Sequence, residues 1–329
     1  MSDVPYSEVA TLLGMPTPPE AWRILDSTKL QSFLTCERQF FWEHVLGWKP
    51  EQISNHLIFG QAFHHALESL IRGGLTDEAL TEGYERFLAH YRMAGFSEDT
   101  DAIYYPKTPA RALEALIAYV QRYASDAEKY EVLHTEVSGG VGIGEGRHLH
   151  FRWDTVLRER DTGLVISQEH KTGSSTWNWA MQWALKLQID NYTFGLHRLY
   201  DPKEVKGVEV NGIFFLKNSG ARGGKTIDFM RVPCYRTIDR MHAWYWTLHD
   251  TIDRLEFEFE RLAACRTDEV VMMAFPMRTE SCAKYTGCPY HDLCCTWANP
   301  LAQLTRIPPG FIIEHWDPRT LEARERIEL

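Results

Sequence analysis

Apolar residues recur at intervals of three and four along the first part of the chain, which is the spacing of amphipathic helices. The first such segment follows the capping residues Asp26, Ser27 and Thr28, and it stops before Gly47 and Pro50. The pattern predicts helices with the approximate bounds 29–45, 58–71, 77–93 and 110–129.

The pattern changes to period-two alternation near Leu133. Leu149, Phe151 and Trp153 form one apolar face, and we expect strands at about 131–137, 148–158 and 163–170. Beyond them the sequence predicts, in order, a helix at 179–200, strands at 208–217 and 226–232, and a helix at 238–264. Helices that flank a small mixed sheet indicate the α/β (α+β) class.

The pattern also suggests domain boundaries. The proline-rich start predicts an N-terminal arm at 1–25, followed by a single domain at 26–297 and a C-terminal tail at 298–329. Within the domain we expect a helical insertion at about 75–130 and a closing cysteine segment at 275–297.

Composition restricts the class of protein. The chain has 329 residues, of which 44% are hydrophobic, so it can bury a large core. Its net charge of −10 argues against a protein that coats nucleic acid non-specifically, but it allows an enzyme whose carboxylates hold metal ions. We see no signal peptide and no membrane span, which predicts a cytoplasmic protein with no membrane partner.

Two carboxylates and a lysine end neighbouring predicted strands. Glu169 and Lys171 are two residues apart and therefore project from the same face, and Asp154 on the preceding strand can meet them. Carboxylates hold Mg²⁺ or Mn²⁺ for phosphoryl chemistry, and a lysine neutralises the charge that develops on the phosphate. The alternative is a surface strand with alternating charges.

Three further residues can belong to the same site. His64 stands at the start of a predicted helix and can be a metal ligand or a capping histidine. Gln188 and Tyr192 are one helical turn apart and can hold a phosphate or a water, although a buried core tyrosine is the alternative.

Cysteines cluster near the end of the chain. Cys282, Cys288 and Cys294 are evenly spaced, with Cys295 adjacent, and Cys36 is a distant fourth candidate. Four thiolates can bind Zn²⁺ or an iron–sulfur cluster, and the alternative is buried free cysteines.

Taken in order, these motifs resemble the iron–sulfur branch of the PD-(D/E)XK nuclease superfamily over about residues 27–297. That branch holds the RecB-like exonucleases, the AddB nuclease domain and the CRISPR-adaptation exonucleases, with many phage relatives. The matching positions run from the opening helix to the closing cysteine segment: Cys36, His64, Asp154, Glu169, Lys171, Gln188, Tyr192, Cys288 and Cys294.

The resemblance implies a restriction-endonuclease-like core and a DNA exonuclease that acts on single strands or DNA ends. It implies that Asp154, Glu169, His64 and the backbone carbonyl of His170 bind Mg²⁺ or Mn²⁺, and that Lys171 positions the attacking water. It further implies that Gln188 and Tyr192 contact DNA or steady Lys171, and that helicase or recombination proteins are possible partners.

The resemblance also implies a structural [4Fe–4S] cluster on Cys36, Cys282, Cys288 and Cys294, with Zn²⁺ as the alternative. The chain departs from the family in the wider spacing between Cys282 and Cys288 and in the adjacent Cys295. We choose Cys294 as the last ligand because it keeps the Cys-Pro-x4-Cys spacing.

Contact with DNA requires local positive charge and, for unpaired bases, aromatic surface. The sequence offers these basic candidates: Arg38, Lys49, Lys186, Arg222 and Lys225. Trp177 and Trp179 can stack on bases or belong to the core. Two other classes of function stay open: a cluster-bearing DNA-binding or assembly subunit of a recombination or repair complex, and a zinc-stabilised scaffold.

Overall fold

A computed structural model describes residues 4–217, 225–284 and 287–329 of the chain. These residues form two compact units, each assembled from separate stretches of sequence. The first unit contains Met1–Gln52, Val141–His150 and Ile238–Leu321, and the second contains Ile53–Gly140, Phe151–Thr237 and Glu322–Leu329. The boundaries that we drew at 25 and 297 stay a prediction.

The first unit is mainly helical around an aromatic core. Its elements are α1 (Tyr6–Leu12), β1 (Leu25–Asp26), α2 (Ser27–Thr35), α3 (Glu37–Phe40), β2 (Trp48–Pro50), α9 (Ile238–Ala263), α10 (His291–Thr296) and β8 (Phe311–Ile313). Phe41, Trp42 and Phe259 are almost fully buried in this core. Strand β2 pairs with β8 in antiparallel orientation.

The predicted helix 29–45 is interrupted at Cys36. Asp26 caps α2 by accepting a hydrogen bond from the Lys29 amide at 2.9 Å. Cys36 then adopts an extended conformation, with φ −163° and ψ 114°, and the chain continues as α3 and a π-helical turn at Phe41–Val45. Cys36 therefore lies between two helices and not inside one.

The second unit contains most of the central sheet and the helices around it. Its elements are α4 (Asn55–Arg72), α5 (Asp77–Met93), α6 (Pro109–Tyr123), α7 (Asp126–Lys129), β3 (Tyr130–Gly144), β4 (Arg147–Glu159), β5 (Val165–Gly173), α8 (Leu187–Leu199), β6 (Val205–Phe215), β7 (Ile227–Cys234) and β9 (Glu325–Glu328). The ends of β3 and β4 that meet at their turn belong to the first unit, where Leu149 and His150 pair with β1.

The sheet is mixed, in the order β7–β6–β5–β4–β3–β9. The pairs β4–β5 and β6–β7 are antiparallel, whereas β5–β6 and β3–β9 are parallel. Helices flank this sheet, which confirms the predicted α/β (α+β) class. None of the described helices is long and apolar enough to cross a membrane.

Two predicted helices differ in their extent. Segment 110–129 divides into α6 and α7, and the helix expected at 179–200 begins only at Leu187. The residues before Leu187 form a short 3₁₀ turn at Ala180–Trp183 instead, in which Trp183 is buried against Trp179. Aromatic packing therefore overrides helical periodicity in this segment.

Helix α4 packs on the sheet through its aromatic face. The Phe59 ring lies 4.8 Å from the Phe215 ring of β6 and 5.2 Å from the Phe87 ring of α5, measured between centroids. Helices α4 and α5 approach so closely that a Cβ on Gly83 would lie 2.7 Å from the backbone oxygen of Ala66. This close contact fixes the helix that carries His64.

We predict that Gly83→Ala lowers the free energy of unfolding. Overpacking costs about 1–3 kcal/mol, and it outweighs the helix propensity gain of about 1 kcal/mol, because the clash is with backbone. Chemical denaturation checks this, with Glu85→Ala on the exposed face of the same helix as the control. Equal or greater stability of Gly83→Ala would contradict the close helix contact.

Candidate metal centre and cysteine site

Strands β4 and β5 bring the predicted carboxylates together. Thr155 of β4 pairs with Gln168 of β5, so the next residues, Asp154 and Glu169, meet on one face. The backbone amide of His170 donates a 2.7 Å hydrogen bond to Asp154 Oδ2. Asp154 and Glu169 are 7% and 2% exposed, so both carboxylates are inside the protein.

Glu169 is held by the predicted lysine and the predicted glutamine. Lys171 Nζ donates to its Oε1 atom, and Gln188 Nε2 donates to the same atom at 3.1 Å. Gln188 Nε2 also lies 2.9 Å from the Tyr192 hydroxyl, so β5 and the first turn of α8 form one network. The Oε2 atom of Glu169 has no hydrogen-bond partner among the described residues, although it is buried.

The electrostatic environment shifts the pKa values of the two carboxylates in opposite directions. Burial raises the pKa of Glu169 to about 7, and the Asp154 charge adds to the increase. Burial opposes ionisation of Asp154 too, but His64 and Lys171 outweigh it and hold its pKa below the usual range. Burial lowers the pKa of Lys171, but the charges of Glu169 and Asp154 outweigh burial and leave the pKa above its usual value. Lys171 is therefore a protonated donor.

His64 reaches Asp154 from helix α4. Its Nδ1 atom lies 3.3 Å from Asp154 Oδ1. Burial opposes the charged imidazole, but the neighbouring carboxylate prevails and raises the pKa of His64. The predicted histidine and aspartate therefore share one location.

Glu136 of β3 joins this group, and sequence reasoning missed it. Ligand atoms of His64, Glu136 and Asp154 all lie within 4.8 Å of one another. Glu136 is 7% exposed and has a φ of 49°, in the left-handed region that costs a non-glycine residue about 1–3 kcal/mol. The available signal was a second glutamate in the predicted strand 131–137, three residues before Gly139.

Arg152 is the cation that accompanies Glu136. Its Nε donates to Glu136 Oε2 at 3.1 Å, and its Nη2 donates to the same oxygen. Burial and the Asp154 charge nevertheless raise the pKa of Glu136. Three buried carboxylates thus face one lysine, one arginine and one histidine, and this donor set fits a divalent ion that prefers oxygen ligands.

The imidazole of His170 contacts Asn211 on the neighbouring strand β6. Its Nδ1 atom lies 3.2 Å from Asn211 Nδ2, which also donates to the Tyr119 hydroxyl at 3.0 Å. Burial lowers the pKa of His170 to about 3, so the ring is neutral. The backbone amide of His170 contacts Asp154, and its backbone carbonyl stays a predicted ligand.

The predicted cysteines approach one another in the first unit. The Arg278 amide donates to Cys36 Sγ at 3.3 Å, and Trp42 Nε1 donates to Cys294 Sγ at 3.4 Å. Burial raises the pKa of Cys288, and the thiols of Cys294, Cys282 and Cys36 raise it further. The charges of the three other thiols therefore act on Cys288.

Arg38 joins the N-terminal cysteine segment to the C-terminal one. Its Nε donates to the Phe275 carbonyl at 2.9 Å, and its amide donates to the Pro276 carbonyl at 3.1 Å. Arg38 is 3% exposed, and its Nη1 atom lacks a hydrogen-bond partner among the described residues. Burial raises the pKa of the Cys294 thiol, and the Trp42 N–H and the Arg38 charge each oppose part of that increase. A buried guanidinium with this effect fits an anionic thiolate site.

Cys295 lies elsewhere on α10. It is exposed, and its Sγ atom is 3.8 Å from His291 Nε2. The choice of Cys294 as the last ligand stays a prediction.

The predicted DNA-contacting cations have different environments. The prediction that Arg38 contacts DNA is wrong, because Arg38 is buried and its guanidinium donates to two backbone carbonyls. Lys49 pairs with Glu314 at 2.6 Å and Lys225 pairs with Asp228, while Arg222 lies outside the described residues. Burial lowers the pKa of Lys186, and the charge of Lys171 lowers it further.

Comparison with known proteins identifies the family. Residues 27–295 match the family model described as the PD-(D/E)XK nuclease superfamily, and the chain belongs to that superfamily. Membership indicates a metal-dependent nuclease that binds DNA. A solved structure described as "Crystal structure of SSO0001" is 14% identical, with 69% of this chain and 82% of that chain covered and a TM-score of 0.24. No curated protein matches the chain.

We predict that Glu136→Gln weakens divalent metal binding by about 10-fold or more, because it removes one anionic ligand atom from the group with His64 and Asp154. The melting temperature as a function of Mn²⁺ concentration reports this, since a bound ligand stabilises the folded state. Glu131→Gln, at an exposed position of the same strand, is the control. An unchanged Mn²⁺ dependence would remove Glu136 from the metal group.

Proposed function

We propose that this protein is a DNA exonuclease that hydrolyses phosphodiester bonds with Mg²⁺ or Mn²⁺ and carries a structural [4Fe–4S] cluster. The observation that carries the proposal is the group of three buried carboxylates, Glu136, Asp154 and Glu169, around His64 and Lys171. Such a group is costly in the absence of bound cations, because each buried charge loses its hydration.

The proposed ligands are His64, Asp154, Glu169 and the backbone carbonyl of His170. We add Glu136 to this proposal because of its position beside His64 and Asp154. A divalent ion held there would polarise the phosphate and lower the pKa of a bound water. The partnerless Oε2 atom of Glu169 supports this assignment, since a buried carboxylate oxygen normally has a partner.

The other side chains have distinct roles in the proposal. Burial lowers the pKa of Lys171, but Glu169 and Asp154 outweigh it, and in the proposal Lys171 donates to the attacking water or to a phosphate oxygen. Gln188 keeps Glu169 in place through its 3.1 Å hydrogen bond. Tyr192 stays protonated because burial and the Glu169 charge raise its pKa, so its O–H remains a donor for a phosphate.

The proposed cluster ligands are Cys36, Cys282, Cys288 and Cys294, with Zn²⁺ as the alternative occupant. Two N–H groups directed at sulfur, from Trp42 and the Arg278 backbone, support an iron–sulfur cluster, because such hydrogen bonds tune its potential. A link between residues that are distant in sequence restricts the unfolded chain strongly, which gives the cluster a stabilising role.

We expect the anaerobically purified protein to shorten end-labelled DNA in Mg²⁺ or Mn²⁺ and not in EDTA. Glu169→Ala and Lys171→Ala should lower the cleavage rate by about 100-fold or more, because each removes a group that stabilises transition-state charge. Lys203→Ala, at an exposed position of the same unit, should cleave normally. The label that is lost first reports the polarity of digestion.

Circular DNA separates exonuclease action from endonuclease action. An exonuclease leaves closed circular single strands intact and digests them after linearisation, so cleavage of the circle would contradict that part of the proposal. Folded, metal-loaded protein that cuts no DNA would instead favour a DNA-binding or assembly subunit. In that case the partners would be helicase or recombination proteins.

We predict that Cys36→Ala loses the visible absorbance of an iron–sulfur cluster together with most of the soluble yield. The physical reason is that the cluster would cross-link the segments that Arg38 already joins. Iron and zinc analysis of the purified protein identifies the occupant, and Cys234→Ala, at a buried position in the other unit, is the control. Normal absorbance and yield in Cys36→Ala would exclude Cys36 as a ligand.

A further inference from the structure

The segment between β5 and α8 follows Lys171 directly and is anchored by two buried tryptophans. The Trp179 ring packs on the Phe214 ring of β6 at 5.0 Å and on the Trp183 ring at 5.2 Å. Arg236 donates to the Trp183 carbonyl at 3.2 Å. These contacts hold the segment in one position on the sheet.

The same segment presents large apolar side chains to solvent. Trp177 is 83% exposed, Met181 is 75% exposed and Leu185 is 74% exposed. Trp177 stands on a tight turn, in which its amide donates to Ser175 Oγ at 3.2 Å and Asn178 has a φ of 54°. An exposed tryptophan on an anchored turn is a preformed stacking surface, because little ordering remains when a planar ligand binds.

Positive charge accompanies this surface. Lys186 follows Leu185 directly at the end of the segment, and its amide donates to the Trp183 carbonyl at 3.4 Å. A lysine next to an exposed apolar surface complements the phosphate backbone of a nucleic acid, whereas an apolar protein partner would gain nothing from it. The charge next to the apolar surface therefore favours a nucleic-acid strand as its occupant.

We propose that Trp177 stacks on an unpaired base of the DNA strand that is cut beside Lys171, and that Met181 and Leu185 extend this contact. The inference rests on the proposed nuclease function and adds a residue that selects single-stranded DNA. A base can stack on Trp177 only when it is released from its partner, so a paired end must fray first.

Chain geometry limits which base this is. Trp177 is six positions after Lys171 in the sequence, and each position adds at most about 3.5 Å of chain. The Cα atoms of Lys171 and Trp177 therefore lie within about 20 Å of each other. That distance equals about six nucleotides at 3.4 Å each. The stacked base therefore lies within about six nucleotides of the phosphate that is cut.

Binding of a fluorescent single-stranded oligonucleotide in EDTA, at one fixed salt concentration, tests the inference. Trp177→Ala should bind about 10-fold more weakly, which is the typical effect of losing one stacked base, and Trp177→Phe should recover most of the affinity. Trp246→Ala is the matched control, because Trp246 is 77% exposed on α9. Melting temperatures should be equal in all four proteins.

Abasic substitution identifies the stacked base. One abasic position within about six nucleotides of the cleaved end should weaken binding by wild type about as much as Trp177→Ala does. The same substitution should have no further effect on Trp177→Ala, since the two changes remove one contact. In Mg²⁺, Trp177→Ala should also lose part of the preference of wild type for single-stranded over double-stranded ends.

The outcomes separate the two proposals. If wild type cuts DNA and Trp177→Ala binds and cuts equally well, the stacking inference is wrong and the nuclease function stands. Additive losses from the abasic site and Trp177→Ala would also refute stacking. If wild type neither binds nor cuts DNA while the protein is folded and metal-loaded, the proposed function and this inference fail together.

Discussion

The burial of three carboxylates in one place is the constraint on which the second unit depends. Glu136, Asp154 and Glu169 are each less than one-tenth exposed, and each buried charge costs several kcal/mol unless it is compensated. The compensation comes from Arg152, His64 and Lys171, one cation or potential cation from each neighbouring element. A folded protein can keep this arrangement only if α4, β3, β4 and β5 hold their positions.

The packing of these elements follows from that requirement. The aromatic face of α4 rests on Phe215 of β6, and Gly83 lets α5 come close behind it, so His64 is held over the sheet. Helix α8 supplies Gln188 one turn before Tyr192, and the hydrogen bond from Gln188 ties Glu169 to this helix. Apolar contacts thus supply the rigidity that the buried charges require, and a divalent ion would relieve the remaining repulsion.

The first unit applies the same physical logic to sulfur. Arg38 donates two hydrogen bonds to the backbone carbonyls of Phe275 and Pro276. Its Nη1 atom has no hydrogen-bond partner among the described residues. Burial raises the pKa of the Cys294 thiol, and the Trp42 N–H and the Arg38 charge oppose part of that increase. Arg38 therefore acts inside the first unit, although the sequence suggested that it contacts DNA.

Surface features near the candidate site depend on what is buried beneath them. Trp179 and Trp183 are buried against β6, and this anchoring leaves Trp177 exposed on a turn that follows Lys171. The chain carries a net charge of −10, so attraction for DNA has to come from local groups such as Lys171 and Lys186. A small positive and aromatic surface is sufficient, because the range of electrostatic interactions in salt is about 10 Å.

The sequence by itself determined most elements, because amphipathic periodicity follows burial; α5, for example, has the predicted bounds Asp77–Met93. It also predicted that Asp154, Glu169 and Lys171 meet, since strand alternation is a local property, and the resemblance to the nuclease superfamily added His64 and Gln188 to them. Only the tertiary structure decided that Glu136 joins them, that the helix expected at 29–45 breaks at Cys36, and that Trp177 is exposed while Trp179 is buried. These outcomes depend on contacts between residues that are distant in the sequence, and no local pattern records such contacts.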